Sequence, residues 1–163
     1  MTYTVLIAVP FNNWSRKDEA YIKNELTNYD IEGIIVSEDS KSRQNILEKI
    51  NRSNLILVLY SSAAFSLDFI NQIIESATSI KKKTIVIKER GTPLRGRVMN
   101  VDIIEYDNNK PEQALSMLIQ NARDAKADRD TTIGMVAAGA VGLGLAAGAA
   151  YLMYKLLKKD DEN

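Results

Sequence analysis

The chain has 163 residues, with 21 basic and 21 acidic side chains and neither cysteine nor histidine. That balance leaves no net field to gather nucleic acid, so none is expected as a partner. The absent residue types exclude disulfides, thiolate- or histidine-ligated metal sites, a cysteine nucleophile and a Ser-His-Asp triad, and no metal site is read.

Residues 3–9 form a near-continuous apolar run, the pattern of a strand covered on both faces. No basic leader precedes it, so no signal peptide is expected and the domain is placed in the cytoplasm. Pro10 ends the strand. Ser15 can cap a helix from about Arg16 that turns Ala20, Ile22, Leu26 and Tyr29 inward. Residues 31–36 read as a second strand, 37–44 as a polar loop, and Ile46, Leu47 and Ile50 mark a short helix. Residues 55–60 are the most hydrophobic strand and are expected at the centre. Ser66 can cap the next helix, where Phe69, Ile70, Ile73, Ile74, Ala77 and Ile80 make one apolar stripe. Residues 84–87 and 101–105 give a fourth strand and a weaker fifth. Pro111 suits the first turn of a last helix with Ala114, Leu115, Leu118, Ile119 and Ala122 inward.

Strands alternating with helices imply an α/β fold with a parallel sheet and right-handed crossovers. The number of elements suggests a flavodoxin-like five-stranded order, 2-1-3-4-5, whose ligands sit at the carboxyl ends of the strands. Here that rim makes Pro10, Phe11, Trp14, Ser37, Asp39, Arg43, Ser61, Ser62 and Ser66 the candidate ligand-binding residues. Each also has a plainer role. Trp14 can stack on a ligand ring or cover the first helix; the serines can bond a ligand or cap backbone; Asp39 and Arg43 can be solvated. Neither GxGxxG nor GxxxxGK occurs, which argues against a conventional nucleotide loop. The turn carrying Arg90, Arg95 and Arg97 and the run Lys81-Lys82-Lys83 read first as solvated loops.

Residues 133–154 carry no charge, Asn, Gln or Pro, enough to cross the roughly 30 Å hydrocarbon layer as a helix. Gly134, Ala138 and Gly142 recur every four residues, and Gly144 with Gly148 makes a GxxxG, the spacing that lets membrane helices pack closely and self-associate. The expected organisation is a cytosolic domain over 1–125, a linker over 126–131, one C-terminal transmembrane helix over 132–155 and a charged tail over 156–163. The partners then expected are the lipid bilayer and a second copy of the chain, as a single-pass membrane protein.

Three stretches in order, VLIAVPFNNWSRKDEAYIKNEL, GIIVSEDSKSRQNILEKINRSNLILVLYSSAAF and SLDFINQIIESATSIKKKTIVI, resemble the TIR-like domains of bacteria and archaea, in particular the Thoeris-type TIR-like branch. The opening IAVPF is also similar to nucleoside deoxyribosyltransferase-like proteins. The resemblance implies NAD or a related nucleotide as ligand and a catalytic Glu on the helix at 66–80. That position holds Gln72, and Glu75 one turn later is the neighbouring acid. Replacing a carboxylate that stabilises a cationic transition state costs about two to three orders of magnitude in rate, so the expectation leans away from an enzyme. The function expected is a membrane-anchored TIR-like signalling or antiviral-defence module, with clustered membrane helices or a TIR-like or effector partner as output. The alternatives are an NAD hydrolase or nucleoside N-glycosidase, and a membrane-tethered adaptor without ligand.

Overall fold

The computed structural model describes residues 2–9, 15–37, 45–61, 67–94, 100–107 and 109–140. Packing divides the chain into two units, Met1–Ala125 and Lys126–Asn163. The first contains β1 (Tyr3–Ala8), α1 (Arg16–Thr27), β2 (Ile31–Val36), α2 (Ile46–Arg52), β3 (Leu55–Tyr60), α3 (Leu67–Ser79), β4 (Thr84–Glu89), β5 (Asp102–Tyr106) and the start of α4 (Pro111–Ala140). The five strands are all parallel, in the order β2-β1-β3-β4-β5. The hydrophobic 55–60 segment is the middle strand.

Every side chain of β1 and β3 is buried. Alternate residues feed two cores. Val5, Ile7, Leu55, Leu57, Leu59, Ile85 and Ile87 pack with Ile22 and Leu26 of α1 and with Ala114, Leu118 and Ala122 of α4. Leu6, Ala8, Ile56, Val58, Tyr60 and Val86 pack with Ile50 of α2 and with Phe69, Ile70, Ile73 and Ile74 of α3. Helices on both faces make a sheet that reads as continuous apolar runs rather than as alternation.

Local chemistry fixes the helix ends. Ser15 caps α1 through a capping box, its Oγ accepting from the Asp18 amide while the Asp18 carboxylate accepts from the Ser15 amide. Past α3, the Lys81 amide donates to the Thr78 carbonyl and the Lys82 amide to the Ala77 carbonyl, with Lys81 left-handed at φ 57. This is a Schellman end with lysine where glycine is usual, at a cost of about 1–2 kcal/mol. Only Ile22 and Leu26 of α1 are buried. Ala20 and Tyr29 lie outside the core, Tyr29 with the Arg123 guanidinium 4.0 Å over its ring. Leu47 and Ile80, expected inward, are exposed.

The expected transmembrane helix is corrected. Among the described residues, no helix is long and apolar enough to cross a membrane. Over residues 133–140 the apolar segment continues α4, and residues 141–154 lie outside the described residues. The turns of α4 before it carry Arg123, Asp124, Lys126, Asp128, Arg129 and Asp130, which no membrane-spanning window accommodates. The bilayer as partner and the single-pass localisation fall with the helix. Gly134 and Ala138 belong to α4, whereas Gly142, Gly144 and Gly148 lie outside the described residues.

Gly33 lets α1 approach the sheet closely. A Cβ there would come within 2.9 Å of Leu26 Cδ1, itself fully buried. Gly33→Val is therefore expected to lower stability by about 1–3 kcal/mol in urea unfolding despite its better strand propensity. Gly33→Ala is expected to cost less, because the end of one leucine is all that must move.

Candidate functional site

In this fold the strand ends, not the strand interiors, can hold polar groups. At the carboxyl edge, Ser61 follows β3, Glu89 ends β4 and Tyr106 ends β5. Glu89 pairs in register with Tyr106, and Ser61 comes one step after the Tyr60–Lys88 pair. By alternation all three belong to the face covered by α1 and α4, where Tyr106 joins the core. Ser61 Oγ donates to Glu89 Oε2 at 3.2 Å, and Thr92 Oγ1 lies 3.5 Å from the same oxygen. Ser61 also shares a hydrogen bond with the Tyr106 phenol.

Thr92 reaches Glu89 through a turn in which its amide donates to the Glu89 carbonyl and Gly91 stands third at φ 81, as a type II turn requires. The Arg90 amide donates to the Tyr106 carbonyl, tying that turn to β5. Ser61, Thr92 and Tyr106 are buried, whereas Glu89 is half-buried. Three buried hydroxyls thus back one carboxylate that reaches towards solvent. On the opposite face Lys88 Nζ pairs with Glu105 and donates to the Thr92 carbonyl at 3.1 Å. The Lys88 hydrogen bond and charge hold the Glu105 carboxyl below its ordinary 4.5, with burial opposing and Arg90 assisting.

The structure brings Ser61 of the expected ligand residues into this row. Ser37 follows β2 at the same edge and is half-buried. Pro10, Phe11, Trp14, Asp39, Arg43, Ser62 and Ser66 lie outside the described residues. Gln72 and Glu75 are exposed on α3, which covers the other face of the sheet, and do not join the row. Asn71 beside them has a buried Oδ1 without a hydrogen-bond partner. Glu89, Thr92 and Tyr106 lie just past the apolar runs at 84–87 and 101–105 that mark the last two strands in the sequence. A polar or aromatic residue directly after an apolar run was the available signal.

Fold and edge together define a flavodoxin-like α/β domain. No family model matches the chain, and no curated protein matches it. Solved structures resemble it at low identity. The sugar isomerase domain of an RpiR transcription factor from Sphaerobacter thermophilus is 9% identical over 83% of this chain and 77% of that one, with a TM-score of 0.50. Rubredoxin oxygen:oxidoreductase from Desulfovibrio gigas is 13% identical over 77% of this chain, with a TM-score of 0.51, and the match spans 36% of that protein. A CMP N-glycosidase of Clostridium botulinum is 17% identical over 71% of this chain and 97% of that one, at a TM-score of 0.48 that carries neither family nor reaction. At such identities the likeness is one of fold.

These findings correct the TIR-like assignment. With no family model matching, the layout of elements that carried the resemblance is explained by the flavodoxin-like fold alone. The signalling and defence function, the NAD or related nucleotide ligand and the TIR-like partner rested on that assignment and are withdrawn with it. Among the described residues there is also no group of three His, Cys, Asp or Glu side chains able to hold a metal.

Burial raises the Tyr106 phenol above its ordinary 10.0; the Ser61 hydrogen bond opposes this and the Glu89 charge adds to it. The folded state therefore holds this proton more tightly than the unfolded chain. The contribution is fully present below about pH 10 and is lost as pH rises through the raised folded value. Stability measured by urea unfolding is expected to fall above pH 10, and Tyr106→Phe to flatten that fall.

Proposed function

We propose that the chain is a small-molecule-binding domain whose site is the carboxyl edge of the sheet, with Glu89 as the anionic acceptor for a polar ligand's hydroxyl or ammonium donors. The single observation that carries this reading is the row Ser61–Glu89–Tyr106 across three neighbouring strand ends, which presents one half-buried carboxylate on a support of buried hydroxyls. A carboxylate held this way loses little rotamer freedom on binding, and its bonds to a ligand are charge-assisted. The edge is also where open α/β sheets place ligands. Ser37, and by sequence Pro10, Phe11, Trp14, Asp39, Arg43, Ser62 and Ser66, supply the remainder of the rim in this proposal. Fold likeness is silent on the ligand, so the chemistry of the row has to choose it.

The test is a thermal-shift screen of the full chain against sugars, polyols and small amines, with calorimetry on any stabilising compound. Glu89→Gln keeps the shape but removes the charge, and is expected to weaken binding about tenfold to a hundredfold. Ser61→Ala is expected to weaken it less. Unchanged affinity in Glu89→Gln would sink the proposal.

A further inference from the structure

The run Lys81-Lys82-Lys83 does not form a plain solvated turn. With Thr78 and Asn100 it lines a cavity of about 330 Å³ at the amino end of β4, the opposite end of the strand from Glu89. Among the described residues, none that lines it is acidic. Lys82 Nζ is pinned by the carbonyls of Asn51 and Ser53, each at 2.8 Å, so its charge is fixed in place. Among the described residues, neither Lys81 nor Lys83 makes an ion pair. Thr78 directs its hydroxyl proton to the Ile74 carbonyl, which leaves the ammonium groups and the Asn100 amide as the donors available to the cavity.

Two backbone positions sharpen the reading. Lys81 and Asn100 both line the cavity and both have left-handed φ, 57 and 60. Asparagine tolerates that conformation, whereas lysine does so at a cost exceeding what a cation typically returns at an exposed helix carboxyl end. Glycine would end α3 with less strain and no charge. The sequence spends stability to keep a cation at this wall of the cavity, and strained positions of this kind cluster where ligands bind.

We propose that this cavity is a binding site for a small oligoanion carrying phosphate groups. Three ammonium groups without a counter-carboxylate repel one another, and an anion with several charges relieves that repulsion more fully than a single monoanion. The volume suits a small molecule and lies at the lower end of the range for ligand pockets. The site is independent of the carboxyl-edge row, and either can fail without the other.

The experiment is an amide-resolved NMR titration of the full chain with pyrophosphate, at low salt and with inorganic phosphate in parallel. Saturable binding with a Kd on the order of 1 mM or tighter is expected, with inorganic phosphate weaker and the largest shifts at Thr78, Lys81, Lys82, Lys83 and Asn100. The double variant Lys81→Gln with Lys83→Gln is expected to lose about tenfold or more in affinity, while Lys17→Gln on exposed α1 changes it less than about twofold. Lys81→Gly separates binding from folding: it should melt no lower than wild type, yet bind pyrophosphate more weakly. No saturation up to about 10 mM, or saturation that the double variant leaves unchanged, would overturn the proposal.

Discussion

β3 is hydrogen-bonded to a parallel strand on each side and covered by helices on both faces, and all six of its side chains are buried. A strand in that position can carry no unpaired polar group, because each would lose water without a replacement. The same holds for β1. Among the described residues, the buried polar ones sort to the two ends of the sheet: Thr4, Ser53 and Thr84 at the amino end, Ser61 and Thr92 at the carboxyl end. At the amino end, the Thr4 amide donates to Asn54 Oδ1 and the Asn54 amide donates to the Thr4 carbonyl, closing β1 against the turn before β3. The lysine-lined cavity lies at that end too. The Ser61–Glu89–Tyr106 row lies at the other.

The carboxyl-edge row shows what the alternation of side chains does to adjacent residues. Lys88 and Glu89 follow one another on β4 but serve opposite faces. Lys88 meets Glu105 on the side of α2 and α3, while Glu89 meets Ser61 and Thr92 on the side of α1 and α4. The lysine and the glutamate thus do not neutralise each other. Glu89 faces the hydroxyls of Ser61 and Thr92, which donate to its carboxylate. A network of this sort holds its members in one arrangement, since each buried hydroxyl that lost its partner would carry a desolvation penalty of about 1–3 kcal/mol.

Much of this architecture could be read from the residues. The uninterrupted apolar runs of β1 and β3 require a two-sided cover, and Ser15 before Arg16 announced a cap that forms with Asp18. The candidate site was less legible for a specific reason. Hydropathy locates strand interiors, and it faded at Ile87 and Glu105, just before the residues that carry the row. Register between β3, β4 and β5 is a tertiary property, so nothing local to Glu89 pointed to Ser61 or Tyr106. The C-terminal segment misled in the opposite sense. Its apolar composition suggested a separate membrane helix, whereas its first residues continue the charged α4. The lysine run was visible in the sequence, but its cavity depends on Asn100, which comes from before a different strand.

The central claim is that the three strand ends form one connected polar row rather than three independent caps. A double-mutant cycle of Ser61→Ala and Glu89→Gln, followed by urea unfolding at neutral pH, tests it most directly. The account predicts a coupling of about 0.5 kcal/mol or more, because each change removes or weakens the Ser61–Glu89 hydrogen bond. Effects that add to within about 0.3 kcal/mol would contradict it.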